Sequence, residues 1–282
     1  MDQMASALGH KAQLLSLLCQ PALVQPAVHI PPHVRFWGID SGVRHSVGGA
    51  DYGSVRAATF MARTWLRALL KERGAPDADL EHLVHVSPSR LAELEGELPT
   101  AIDGATFLAA HASHGDTATS VEPSRTYDLR GCARHPVHEH FRVGLFRELL
   151  RAKPSKAQLI SLGELMFQSH VSYSAVGLGS EMTDAIVRLV RERGAASGLY
   201  GAKITGGGSG GTVCVLGDDT PKAAASLQAV LADYKRLSGH APHVFSGSSV
   251  GAVAFGHVAH HPERDAQAEP ARQAAGKRKA RE

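Results

Sequence analysis

"KITGGGSGGTVCVL", residues 203–216, sets how this sequence folds. Gly206, Gly207, Gly208, Gly210 and Gly211 crowd around Ser209, and the chain then runs directly into Thr212–Leu216, which reads as a strand. "LYGAKIT", just before the glycines, reads as another. A lone glycine run is most often a tight turn or a flexible connector. This one is pinned between strands and carries no charged residue between Lys203 and Asp218, where a linker would continue in polar residues. Without Cβ atoms, glycines let backbone N–H groups close on a ligand, and a concavity of such donors suits phosphate. The pattern is not a Walker A loop, since no Gly-Lys-Ser/Thr follows, and it lacks the helix and distal acid of a dinucleotide fingerprint.

Downstream, the helical pattern "KAAASLQAVLADYKRLSG" and a strand reading over "PHVFSGSS…AVAFGHV" give strand, helix, strand after the glycines. Upstream, apolar spacing predicts helices over 138–152, 155–176 and "SEMTDAIVRLVRERG", the last stopping at Gly194 with Ser180 and Thr183 as a cap that lacks the usual acid. Asp51 to Glu72 reads as a helix with Val55, Ala58, Phe60, Met61, Trp65 and Leu69 mostly on one side. "SPSRLAELEGEL" starts a shorter helix, with Ser87 as N-cap and Pro88 at its first position, and a less regular section runs to about Pro136. "LLSLLCQ" and "HVRFWGIDSGV" read as strands, and Met1, Met4 and Leu8 fall at helical spacing before Gly9. The class is α+β, with runs of helices and strands segregated along the chain.

The chain has 282 residues, 43% hydrophobic and 20% charged, enough to bury a substantial core. Cys19, Cys132 and Cys214 stand far apart in odd number, which argues against a disulfide framework or thiolate zinc site and fits a reducing, cytosolic setting. No apolar run approaches the roughly 20 residues that span a bilayer, and no signal-peptide pattern opens the sequence. The 17 histidines include His135, His138 and His140, but zinc sites of histidine alone are uncommon, and solvent or core roles are the better reading. Much of the net charge of +3 lies in "GKRKARE", so it implies no nucleic-acid partner. Residues 260–282 are too polar to offset the entropy of ordering and read as a disordered basic tail.

The glycine stretch resembles the third signature motif of the GHMP kinases, the group that includes galactokinase, homoserine kinase and mevalonate kinase. "MDQM" at 1–4, "WGIDSGVRHSVGGADYGSVR" at 37–56 and "LMFQSHVSYSAVGLGS" at 165–180 are similar to the sugar kinases of that group, of the L-arabinokinase and galactokinase type. The resemblance runs from residue 1 to about 258. It implies the GHMP-kinase C-terminal domain, a ferredoxin-like α/β sandwich, over 46–259, with 1–45 as a remnant of the N-terminal kinase domain. No "GLSSSA"-like phosphate loop occurs in the sequence, so the resemblance is to the C-terminal portion only.

What the resemblance implies is a kinase moving phosphate from ATP, with Mg²⁺, to the anomeric hydroxyl of L-arabinose or galactose. Asp2 matches the carboxylate near that hydroxyl, and Tyr52 a tyrosine that contacts the sugar. The spacing from Tyr52 to Arg56 is one residue longer than usual. Asp40 matches an aspartate of the substrate motif, and by pattern it orders a turn. Gly206 to Gly211 would lie beside the transferring phosphate, with Asp2 converging on the same pocket. His170 reads as a core histidine. The ATP loop and the metal ligands would come from outside this chain, and a separately encoded N-terminal half is an expected partner. The alternative is a non-catalytic remnant or subunit that binds a sugar or that missing half. Without its cover, "LLSLLCQ" and "VRFWGIDSGV" are expected to expose strand edges.

Overall fold

The computed structural model describes residues 1–19, 22–44 and 50–257, the side chains of 50 and 51 excepted, so the expected tail lies outside the described residues. In chain order the elements are α1 (Asp2–Leu8), β1 (Gln13–Leu18), β2 (Leu23–His29), β3 (Val34–Asp40), α2 (Ala50–Glu72), α3 (Pro88–Leu94), β4 (Ile102–Asp103), α4 (Gly104–Ala110), β5 (Thr126–Tyr127), α5 (Leu129–Arg151), α6 (Lys156–Ala175), α7 (Glu181–Arg193), β6 (Leu199–Ile204), β7 (Thr212–Asp218), α8 (Pro221–Ser238), β8 (Val244–Phe245) and α9 (Ala252–Phe255).

The glycines join β6 to β7 as an antiparallel pair, and β3 pairs antiparallel with both β7 and β8, giving the order β6-β7-β3-β8. Taken as β3, α7, β6, β7, α8, β8, the chain is a βαββαβ unit of ferredoxin-like topology, with α2 to α6 inserted after its first strand. Side chains alternate across β7 as strand geometry requires. Val213 and Val215 pack with Ile186, Val190, Leu227 and Tyr234 of α7 and α8, while Leu216 joins Leu159, Leu162 and Met166 of α6 on the other face. Burial on both faces is why "VCVL" is a continuous apolar run. A third cluster, including Met61, Leu66, Leu91, Phe107 and Val137, joins α2, α3, α4 and α5.

Helix α6 lies directly on β6. A Cβ at Gly163 would stand 2.0 Å from the Tyr200 carbonyl oxygen, and one at Gly201 would stand 2.4 Å from the Gly163 Cα. This contact needs glycine on both sides, and it holds the middle of α6 against the strand that leads into the glycine loop.

Several sequence expectations change. Helix α5 starts at Leu129, not near residue 138, and Pro136 sits inside it. Proline has no N–H for the carbonyl four residues earlier, and here the Thr59 hydroxyl, whose shorter bond is to Val55 O at 2.8 Å, shares its proton with that carbonyl, Cys132 O, at 3.3 Å. Asp128 caps the true start by accepting from Gly131 N at 2.8 Å. Strand β2, unforeseen, tolerates Pro26 because it is paired in a two-stranded hairpin with β1 alone. Residues 252–255 form the short helix α9 instead of a strand. The cap of α7 is complete without an acid: Ser180 accepts from Thr183 N at 3.3 Å, and Thr183 Oγ1 accepts from Ser180 N at 3.2 Å. Strand β3 lies between β7 and β8, with Val34, Trp37 and Ile39 buried, so it is not an exposed edge.

Candidate functional site

The loop between β6 and β7 is closed at its base by Thr205, whose N and Oγ1 donate to Thr212 O at 3.0 and 2.8 Å. Beyond it the backbone takes left-handed or other positive-φ conformations at Gly206 (+68°), Gly208 (+86°), Ser209 (+58°), Gly210 (+126°) and Gly211 (+76°). Ser209 is costly there, since an L side chain in the left-handed region loses about 1–2 kcal/mol. It is held by its N–H, which donates to Leu178 O at 2.6 Å.

Neighbouring elements fix the rest of the loop. Gly211 N donates to Val43 O and Ser41 N to Gly211 O, both at 2.9 Å, which ties the loop to the end of β3. The Tyr173 hydroxyl of α6 donates to Gly206 O at 3.1 Å. A Cβ at Gly208 would stand 2.4 Å from Leu178 O, and one at Gly210 2.9 Å from Val43 O, so backbone packs where side chains would be. Among the described residues, the N–H groups of Gly206, Gly207 and Gly210 have no intramolecular acceptor. A rigid loop with spare donors is an anion-receptive surface.

A polar layer from α5, α6 and α7 supports it. His170 Nδ1 accepts from Ile204 N at 3.3 Å, which leaves the proton on Nε2, 3.0 Å from Asp184 Oδ1. Burial holds His170 below the ordinary imidazole range despite Asp184, so the neutral form that this pattern requires is favoured. His170 is a core residue, as its sequence context reads. Lys203 Nζ lies 2.9 Å from Glu139 Oε1, which also accepts from Ser169 at 2.6 Å, while Arg142 Nε donates to Glu139 Oε2 at 2.8 Å. Burial alone would raise Glu139, but Lys203, Ser169 and Arg142 outweigh it and bring the carboxyl down to about 2. His135 packs edge-on to Tyr173 with ring centroids 4.7 Å apart, and burial lowers it to about 4. Burial, with Glu139 nearby, raises Tyr173 to about 12, so it stays a neutral donor to the loop.

Asp40 Oδ1 accepts from Gly42 N at 3.0 Å and shapes the turn that carries Ser41 and Val43 to the loop. Tyr52 is half-buried on α2 and adds to the electrostatic environment of both Arg56 and Tyr173. Arg56 in turn grips the buried Asp116 by two bonds of 2.8 Å. Asp2 is exposed in the first turn of α1 and makes no hydrogen bond or ion pair among the described residues. Helix α1 is anchored to the segment after β8, through Gly251 N to Gly9 O at 2.7 Å. The structure therefore brings Asp40 and the glycines together at the carboxyl end of β3, and among the described residues no hydrogen bond links Asp2 or Tyr52 to the loop. Arg44 was not singled out from the sequence. It follows Val43 directly, is exposed, and has no acidic partner among the described residues. Its signal in the sequence was a lone cation next to a strand end.

Among the described residues no group of three or more His, Cys, Asp or Glu side chains is placed to hold a metal ion, and no helix is long and apolar enough to cross a membrane.

Comparison with known proteins places this geometry. Residues 146–236, from α5 through most of α8, match the family model "GHMP kinases C terminal". The chain is 42% identical over 288 aligned residues to L-arabinokinase of Arabidopsis thaliana, covering 92% of this chain and 28% of that protein. It is 30% identical to galactokinase of Chloroflexus aurantiacus, covering 77% of this chain and 45% of that protein. The crystal structure of Lactococcus lactis galactokinase complexed with galactose superposes with a TM-score of 0.64 at 19% identity, over 88% of this chain and 54% of that one. The chain thus spans half or less of the length of these two sequence relatives. Residues 146–236 are a GHMP kinase C-terminal domain, and most of the chain is similar to part of the L-arabinokinase and galactokinase sequences.

Proposed function

We propose that this chain supplies the phosphate-facing loop and part of the sugar site of a GHMP sugar kinase, which transfers the γ-phosphoryl of ATP to the anomeric hydroxyl of L-arabinose or galactose. The observation that carries the reading is the pinned glycine loop, with the N–H groups of Gly206, Gly207 and Gly210 left without intramolecular acceptors. Phosphoryl transfer needs positioning and stabilisation of negative charge more than covalent chemistry. Donors fixed before the reaction supply that without reorganising. Arg44 adds a cation at the β3 end of the loop, and Asp2 is the proposed carboxylate that draws the proton from the sugar hydroxyl. The loop fits a phosphate. Mg²⁺ would supply further neutralisation of phosphate charge; among the described residues no group of three or more His, Cys, Asp or Glu side chains is placed to hold it.

A second reading, a subunit that works only with a separate N-terminal half, is favoured by one surface. Phe245, Val253 and Phe255 on β8 and α9 are 52%, 70% and 66% exposed, beside the α1 anchor. Apolar groups concentrated in this way mark contact surfaces. An ATP-coupled assay on L-arabinose and D-galactose, comparing this polypeptide with an upstream-extended form, tests both readings. We expect undetectable turnover alone and sugar 1-phosphate from the extended form, with Asp2→Asn lowering that turnover by about two to four orders of magnitude. An extended form without turnover on either sugar contradicts the kinase reading.

A further inference from the structure

Strand β6 is at the edge of the four-stranded sheet, with β7 on one side only. Just past its end, Thr205 N donates to Thr212 O on that side. Successive positions of an antiparallel ladder alternate in direction, so the N–H of Ile204 points away from β7. Ile204 is buried, and a buried N–H needs an acceptor. His170 Nδ1 of α6 supplies it at 3.3 Å. Gly206, whose own N–H is a spare donor of the loop, follows two residues later, and its carbonyl is held by Tyr173, one turn beyond His170 on the same helix. The close contact of Gly163 with Gly201 fixes that helix on β6. The point where the loop leaves the strand is thus set by one ring nitrogen and one phenol on a rigid support.

His170 accepts at Nδ1 only while its ring is neutral. Asp184 Oδ1, 3.0 Å from Nε2, selects the tautomer with the proton on Nε2, and Ser174 Oγ steadies the same carboxylate oxygen at 3.1 Å. A second proton would go to Nδ1 and set it against the Ile204 N–H, donor to donor, so that the ring or the strand end must turn away. The titratable groups that face the ring from its neighbours are Asp184 and Arg191 of α7 and Lys203 of β6, and Lys203 is itself paired with Glu139 of α5. Asp184 favours the charged ring, while burial, Arg191 and Lys203 oppose it, and the balance keeps His170 neutral at pH 7.

We infer, on the reading that the loop receives phosphate, that His170 is a positioning residue: in its neutral form it holds the start of the glycine loop in the anion-receptive arrangement, and a single proton on Nδ1 releases it.

Sulfate, whose charge is constant from about pH 7.5 to 4.5, is the probe, followed through the amides of Gly206, Gly207 and Gly210 in the ¹⁵N-labelled chain. At about pH 7.5, His170→Leu should weaken sulfate binding about tenfold or more, on the scale of a buried donor left unsatisfied. His170→Asn, whose side-chain oxygen takes the place of Nδ1, should restore it. On acidification the unaltered chain should lose affinity by about tenfold per pH unit once the ring charges, which the ¹⁵N shifts of His170 itself report. General electrostatics would instead strengthen anion binding as the chain gains protons, and His170→Asn should show no loss. Affinity unchanged in His170→Leu, no loss in the unaltered chain while the ring charges, or an equal acid loss in His170→Asn would overturn the inference. If His170→Leu does not fold, the pH comparison between the unaltered chain and His170→Asn decides. Loop amides that ignore sulfate at every pH would refute the phosphate reading instead; positioning is then decided without anion, by whether the amides of Ile204, Thr205 and Gly206 shift with the titration of the His170 ring, and amides that stay fixed overturn it.

Discussion

Replacing Gly208 and Gly206 by alanine, one at a time, separates backbone packing from backbone conformation in the glycine loop. Both glycines have positive φ, +86° and +68°. Either alanine therefore carries the left-handed cost of about 1–2 kcal/mol. At Gly206 the new Cβ meets nothing within 4 Å, so the cost ends there. At Gly208 it would stand 2.4 Å from Leu178 O and 2.8 Å from Leu178 Cβ, and the backbone must move apart. That movement breaks the 2.6 Å bond from Ser209 N to Leu178 O, a net loss of about 0.5–1.5 kcal/mol, and adds overpacking of about 1–3 kcal/mol. Gly208→Ala should thus destabilise by about 2.5–6.5 kcal/mol against about 1–2 for Gly206→Ala. Urea unfolding measures both, with the midpoint shifting and the slope unchanged. Equal losses in the two variants would refute the claim that the loop is moulded onto Leu178.

Stability should fall on acidification in two windows. The fold favours neutral His135, so its contribution is complete above about pH 6.5 and is lost as pH falls through about 4. Glu139 is held charged, so its contribution is complete above about pH 4.5 and is lost as pH falls through about 2. At about 1.4 kcal/mol per unit, each is worth on the order of 3 kcal/mol. Urea midpoints measured from pH 7 to 3 should show His135→Gln flattening the upper window by about one proton while the lower one persists; an unchanged upper slope contradicts the assignment. Thr59→Val should cost about 0.5–1.5 kcal/mol by leaving Cys132 O, opposite Pro136, without its donor, and a neutral result would mean that water serves that carbonyl equally well.

The sheet was legible where burial wrote a local pattern. "VCVL" is apolar throughout because both faces of β7 are covered, and α8 follows from its spacing and the Thr220 cap, whose side chain accepts from Ala223 N. The start of α5 was not legible, because Pro136 reads as a break and the donor that tolerates it, Thr59, is 73 residues away from Cys132. Central placement of β3 was hidden for a similar reason, since its partners come from residues 212–218 and 244–245. The glycine loop announced itself by composition. The residues that hold it did not: Leu178 and Val43 act through backbone carbonyls, which side-chain identity does not report, and Tyr173 and His170 read as ordinary positions on a helix. Arg44 lacked any pattern beyond its neighbour Val43.

The claim on which the account rests is that the glycine loop receives phosphate through its spare amides. Titrating the ¹⁵N-labelled chain with inorganic phosphate tests it directly. The amides of Gly206, Gly207 and Gly210 should move together along one saturation curve, and Gly208→Ala should abolish the response. Loop amides that stay fixed at saturating phosphate would contradict it.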